Sequence, residues 1–120
     1  MNRNWKVIYY TSESHDNPVQ LFLDNLESRE QSKILRILQY IREYGLISVL
    51  PHVKKLSGLP VWEIRVLGRD SIRVLYVVPT ELTVLVLHGF RKKTQKTPKK
   101  EIIVALRRYQ DWKKRSQAGY

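Results

Sequence analysis

Arg65, Arg73 and Arg91, with the lysines at 92, 93 and 96 that follow the last of them, are the residues whose type and spacing could do chemistry in this chain. A guanidinium stays charged at any working pH and offers a planar fork of N–H donors that matches phosphate oxygens. It is a poor carrier of protons. Three of them brought together without carboxylates nearby would form a fixed phosphate clamp, and the expectation is that these three converge on one patch. The competing reading is an ion pair, Arg65 with Glu63 or Arg73 with an acid elsewhere in the chain. The lysines have their own bland reading, a solvated loop. Lys54 and Lys55 join Lys92, Lys93 and Lys96 as candidate contacts to nucleic-acid phosphates, contacts that position a molecule without reading bases.

Those side chains need a sheet to hold them. Val61–Leu67, Ser71–Val78 and Leu82–Phe90 are runs of β-branched and aromatic residues separated by turn residues, Gly68-Arg69-Asp70 and Pro79-Thr80-Glu81, and predict a three-stranded antiparallel meander. A three-residue first turn sets Trp62 opposite Tyr76, Ile64 opposite Val74 and Val66 opposite Ile72, an apolar face throughout. Glu63 then meets Leu75, and Arg65 meets Arg73, on the other. A slip of one residue would mix the faces, which favours this register. Like charges directly opposite one another destabilise a sheet, so an anion is expected between or above the two arginines. Continuing the alternation puts Leu85, Leu87, Gly89 and then Arg91 and Lys93 on the arginine face. His88 falls on the Trp62/Ile64 face opposite Ile72, as a satisfied histidine at the core edge. His52, in a loop near Lys54 and Lys55, is a second candidate for proton transfer, as is Lys93 if neighbouring cations lower its pKa.

The remaining elements support this sheet. Lys6–Tyr10 predicts a short strand. Asn17-Pro18 reads as N-cap and first residue of a helix with the stripe Val19, Phe22, Leu23 and Leu26. Ser28 and Gln31 form a capping-box pattern for a second helix with the stripe Ile34, Leu35, Leu38, Ile41 and Tyr44, stopped by Gly45. Val53–Leu56 is a short strand or an extended lead-in. Thr97-Pro98 opens a final helix with Ile102, Leu106 and Tyr109 beside Ile103 and Ala105, and the tail after Trp112 is expected to fray. The fold class is α+β, one domain over residues 1–120: a small antiparallel meander sheet with an N-terminal helical hairpin and a C-terminal helix, in the order β-α-α-β-β-β-α.

Composition narrows the function. The 120 residues are 42% hydrophobic, enough for one core. With no cysteine and three scattered histidines, neither a disulfide framework nor a metal site is expected, and no cofactor. No apolar run approaches the ~20 residues that span a bilayer, and the N-terminus has no signal-like core, so a cytoplasmic protein is expected. The net charge is +11. From residue 91 onward there are 11 basic and 2 acidic residues, net +9, while residues 1–90 carry 11 and 9, net +2. Such localisation is either the electrostatic footprint for a polyanion, nucleic acid first among them, or a plain solvated basic surface, and charge alone does not choose between them.

The run Val53-Lys-Lys-Leu-Ser-Gly-Leu-Pro-Val-Trp-Glu-Ile-Arg65, the segment Ile72-Arg-Val-Leu-Tyr76 and the stretch Leu87-His-Gly-Phe-Arg-Lys-Lys-Thr-Gln-Lys-Thr-Pro98 resemble the RelE/ParE toxin superfamily, and its HigB-like, phage-derived branch in particular. The likeness runs from the first strand to the last helix. It implies the toxin of a type II toxin–antitoxin system, a ribosome-dependent endoribonuclease that cuts mRNA without metal by attack of a 2′-hydroxyl on the adjacent phosphate. It implies the ribosome, mRNA and a cognate antitoxin, a HigA-like helix-turn-helix protein, as partners. Carried over by position, it implies Arg65, Arg73 and Arg91 as catalytic. Two departures stand out. Glu63 occupies a position where RelE-like members have lysine, and no tyrosine follows the basic loop before Tyr109. The general acid and base are therefore not assigned by matching; Lys93, His88 and His52 are the candidates. A non-catalytic ParE-like gyrase inhibitor and a general nucleic-acid-binding module are the alternatives.

Overall fold

The computed structural model describes residues 4–46, 48–49, 53–56, 58–66, 71–92 and 96–118. In chain order these form β1 (Lys6–Tyr9), α1 (Pro18–Asp24), α2 (Ser28–Tyr44), β2 (Val53–Lys55), β3 (Trp62–Val66), β4 (Ser71–Val77), β5 (Thr83–Lys92) and α3 (Lys99–Ala118). The strands make one sheet in the order β1-β5-β4-β3-β2. The β3–β4 register is the one the side-chain alternation selects, with Trp62 opposite Tyr76, Ile64 opposite Val74 and Arg65 opposite Arg73. The turn at Gly68-Arg69-Asp70 lies outside the described residues.

Two features of the sheet differ from expectation. It is mixed, not antiparallel, because β1 runs parallel to β5, Lys6 beside Thr83 through Tyr9 beside Val86. Alternation within a strand says which side chains face the core but nothing about the direction of its neighbour. Direction follows from the route of the chain, and β1 lies along the outer edge of the long β5. Val53–Lys55 is a strand in its own right, antiparallel to β3, which makes five strands where the predicted order had four.

Each sheet face carries its own core. On one side Ile64, Ile72, Val74, Tyr76, Val84 and Val86 pack against Val19, Leu23, Ile34, Ile37, Leu38 and Ile41 of the helical hairpin. On the other, Val61, Leu75, Val77, Leu85, Leu87 and Phe90 pack under Ala105 of α3, with Ile102, Leu106, Tyr109 and Trp112 alongside. Burying each large aliphatic side chain contributes ~1.5–3 kcal/mol, so these two layers supply the main driving force. The predicted stripes hold in part. Ile37 replaces Leu35 and Tyr44 on α2, both of which are exposed, and Ile103 of α3 is exposed as well.

Local signals set the helix ends. The Asn17 side chain accepts a hydrogen bond from the Gln20 amide (3.0 Å) ahead of Pro18. The start of α2 is displaced by one residue from the Ser28/Gln31 pattern: Glu27 is the N-cap, and the Glu30 carboxylate accepts from the Glu27 amide (3.3 Å). Gln31 is used instead to tie the hairpin, donating to the Leu23 carbonyl (2.9 Å). Gly45, at φ 83°, ends α2 in a conformation that suits glycine, with the Trp5 indole packed where a Cβ would stand. Helix α3 does not fray after Trp112. It continues to Ala118, with Arg115 bonded to Asp111 (2.9 Å) and to the Thr11 carbonyl beside β1. Among the described residues no helix is long and apolar enough to cross a membrane.

Candidate functional site

Strand β3 alternates Glu63 and Arg65 onto the α3 side of the sheet, and β4 sets Arg73 directly across from Arg65. Two facing guanidinium groups repel, and the structure supplies the anion that their placement calls for. The Glu63 carboxylate is fully buried; its Oε1 accepts from Arg65 Nε at 2.6 Å and lies 3.5 Å from Arg73 Nη1. Its Oε2 accepts from the Thr97 hydroxyl, just ahead of α3. Thr97 thus spends its side chain on the sheet instead of capping the helix. One buried carboxylate joins β3, β4 and the approach to α3. Arg73 is itself buried, whereas the Arg65 side chain keeps 27% of its surface.

The expectation of a carboxylate-free cluster of Arg65, Arg73 and Arg91 is therefore corrected on two counts. Arg65 and Arg73 share Glu63, and Arg91 is on the other face. The cause of the second is a β-bulge. Leu75 faces His88 and Tyr76 faces Val86, so Leu87 is an extra residue on β5 and the alternation flips beyond it. Leu85 and Leu87 lie on the α3 side as expected. Gly89 and Arg91 do not: Gly89 pairs with Val74 and Arg91 with Ile72, on the side of the helical hairpin. There Arg91 makes a two-pronged ion pair with Glu30 of α2, Nη1 to Oε2 at 2.9 Å and Nη2 to Oε1 at 2.8 Å. That bond to Arg91 holds the Glu30 carboxyl below its ordinary pKa.

The same bulge moves two other residues onto the arginine side. Lys92, opposite Ser71, follows Phe90, opposite Arg73, so a partly exposed lysine takes the place expected of Arg91. His88, opposite Leu75, sits on this side and not on the Trp62/Ile64 face. It is a satisfied histidine nonetheless: Nε2 is 2.8 Å from Glu101 and Nδ1 is 3.3 Å from Arg108 Nη1, both on α3. Burial depresses the imidazole pKa, the Glu101 bond works against that, and the Arg108 charge adds to the depression. The arginine can only donate, so the neutral ring carries its proton on Nε2 toward Glu101. With both nitrogens engaged, His88 clamps β5 to α3 and is poorly placed to shuttle a proton.

Of the candidate phosphate contacts, Lys54 is exposed on the arginine side, opposite Glu63, and Lys55 is exposed on the other, opposite Trp62. Lys96 is exposed ahead of α3. Lys93 and His52 lie outside the described residues. Tyr76 packs in the core with its ring stacked on Trp62, centroids 6.4 Å apart, and burial raises its pKa. A separate open cleft of about 630 Å³ is lined by Tyr10, Ser12, Asp16, Asn17, Pro18, Leu21 and Arg108, remote in sequence from the arginine pair.

Among the described residues the arrangement gathers Arg65, Arg73, Lys54 and Lys92 on one side of the sheet around Glu63, with Arg65, Lys54 and Lys92 reachable from solvent. It can hold phosphate oxygens and offset charge that builds up on them. Sequence reasoning placed Arg65 opposite Arg73 and gave Glu63 as a competing ion-pair partner, but did not foresee the bulge that sets Lys92 on the side expected of Arg91. The signal was Gly89, since a glycine inside a strand marks a bulge or a close approach. Here a Cβ on Gly89 would stand 2.3 Å from Phe22.

Residues 21–110 match the profile of a protein family described as Phage derived protein Gp49-like (DUF891), three-quarters of the chain. No curated protein matches the chain.

Proposed function

The chain belongs to the Gp49-like family of phage-derived proteins, and on that premise we propose that it is the toxin of a toxin–antitoxin pair, acting on RNA. The family is associated with toxins of the RelE/HigB type, and a toxin of that kind has an antitoxin as partner. The proposed activity is cleavage of mRNA on the ribosome. A 2′-oxygen attacks the adjacent phosphorus as it loses its proton, the bond to the 5′-oxygen breaks, and that oxygen takes up a proton, leaving a cyclic phosphate and a 5′-hydroxyl. The protein's part in such a reaction is to align the strand and to offset charge on the phosphorane. Arg65 and Lys92 are the groups proposed to touch the phosphate. Arg73, buried behind them, positions Arg65 through their common carboxylate. Lys54 and Lys96 are proposed to hold the flanking backbone.

The observation that carries this reading is the opposed pair Arg65 and Arg73, both bonded to Glu63, in a surface joined by Lys54 and Lys92. One observation favours a second reading. Each of the three arginines already has a carboxylate partner, which suits a toxin that binds gyrase without cutting RNA. Inducing the chain alone in bacterial cells separates the two. Growth arrest with new ends inside translated transcripts supports the nuclease. Arrest with intact transcripts, altered DNA supercoiling and DNA-damage signalling supports the gyrase binder. Unimpaired growth removes both.

A further inference from the structure

Helix α3 has two acidic residues, and both are engaged by partners. Glu101 bonds to His88, and Asp111 accepts from Tyr10 (2.6 Å) and Arg115 (2.9 Å). The outward side is left cationic. Lys99, Lys100, Arg107 and Lys114 are all exposed, and among the described residues none of the four makes an ion pair or a side-chain hydrogen bond. Lys100, Arg107 and Lys114 follow one another at intervals of seven residues. A heptad drifts by only ~20° around a straight helix, so the three form one row, about 21 Å long at 1.5 Å per residue. Ile103 is the single exposed large apolar residue of α3. A protein-binding surface is built around a buried apolar centre with charge at its rim. A row of cations with one isoleucine is the reverse of that and fits a phosphate backbone.

We propose that the outward face of α3 is a docking track for the backbone of a double-helical RNA, distinct from the Arg65/Arg73/Lys92 surface. The proposal rests on the reading that the protein works on RNA and deepens it: the track would seat the protein on folded ribosomal RNA while the sheet surface meets the message. Shape and phosphate contacts are what a duplex RNA offers a protein, since its deep groove is closed to side chains. The track needs contacts to phosphates alone and no base-specific contact.

The test is binding of the full chain to an RNA hairpin of roughly 20 base pairs, measured as a salt titration. The triple variant Lys100→Gln, Arg107→Gln, Lys114→Gln should bind at least about ten-fold more weakly near 0.1 M salt. Its log–log salt slope should be smaller by about two to three, as expected for three lost phosphate contacts. The control is Arg29→Gln, Lys33→Gln, Arg36→Gln, which removes the same charge from exposed positions of α2 and should change affinity less than about two-fold. Equal losses in both triples would reduce the effect to net charge and overturn the track. So would wild-type binding by the α3 triple, equal affinity for a DNA duplex of the same sequence, or tighter binding to poly-glutamate than to the hairpin. Circular dichroism on each triple distinguishes lost contacts from lost fold. Duplex binding is read without cleavage, so a protein that binds through α3 but leaves transcripts intact sinks the nuclease reading alone. One that cuts transcripts and binds the hairpin equally well as the α3 triple sinks the track alone.

Discussion

Replacing Glu63 by glutamine removes one negative charge and leaves the shape of the side chain. Glu63 has no exposed surface, Arg73 retains 4% of its side-chain surface and Arg65 27%. Breaking a buried ion pair by removing one partner costs ~3–5 kcal/mol, because the other charge is left uncompensated away from water. Arg65 reaches solvent, and the glutamine oxygen can still accept from Thr97, so the lower end applies, about 3 kcal/mol. For a domain of this size each kcal/mol lowers the unfolding midpoint by roughly 4 °C, so Glu63→Gln should unfold about 12 °C below the wild type by calorimetry. The cost comes from the lost attraction between Glu63 and the arginines, so Arg73→Met in the same chain should return part of it, with a coupling above about 1 kcal/mol in the double-mutant cycle. Because the carboxylate occupies the position of an anion between two guanidinium groups, added inorganic phosphate should raise the midpoint of Glu63→Gln more than that of the wild type. A midpoint within about 3 °C of wild type, roughly what less than 1 kcal/mol would produce, would refute the reasoning. So would strict additivity with Arg73→Met.

Three further outcomes follow from the same geometry. The folded state holds His88 neutral with its pKa below the ordinary value, so on acidification the unfolded chain takes up this proton first. The stabilisation is complete above about pH 6.5 and is lost as the pH falls from there toward the folded pKa. The unfolding midpoint should therefore drop between about pH 7.5 and pH 5.5, and His88→Gln should flatten that part of the profile. Arg91→Ala breaks a partly exposed pair with Glu30, and should cost about 1 kcal/mol or less in chemical denaturation while leaving toxicity unchanged. Gly89→Ala drives a methyl group into the Phe22 ring and should cost about 1–3 kcal/mol, reduced in a Phe22→Ala background.

How much of this was legible beforehand depended on which signal was local. The β3–β4 register followed from alternation alone, because Trp62, Ile64 and Val66 must share a face with Tyr76, Val74 and Ile72. The helical hairpin followed from Asn17-Pro18, the apolar spacing and Gly45. The site was half legible. Arg65 opposite Arg73 is a consequence of register, but the choice of Glu63 as their anion depends on burial that no spacing encodes. One extra residue at Leu87 was enough to put Arg91 on the side of the helical hairpin and Lys92 and His88 on the side of Arg65 and Arg73. The parallel pairing of β1 was hidden for another reason. It joins residues at opposite ends of the sheet-forming sequence, and a strand of four residues carries no mark of its partner's direction.

The claim that this protein is a toxin acting on RNA through the Arg65/Lys92 surface is tested most directly by primer extension on a defined mRNA loaded on ribosomes, with purified protein added. The account predicts a cut in the ribosome-bound message, no cut in the same message free in solution, and loss of the cut in the Arg65→Ala, Lys92→Ala variant while Arg91→Ala still cleaves. An intact message beside undiminished toxicity in cells, or equal cleavage by the Arg65→Ala, Lys92→Ala variant, would contradict it.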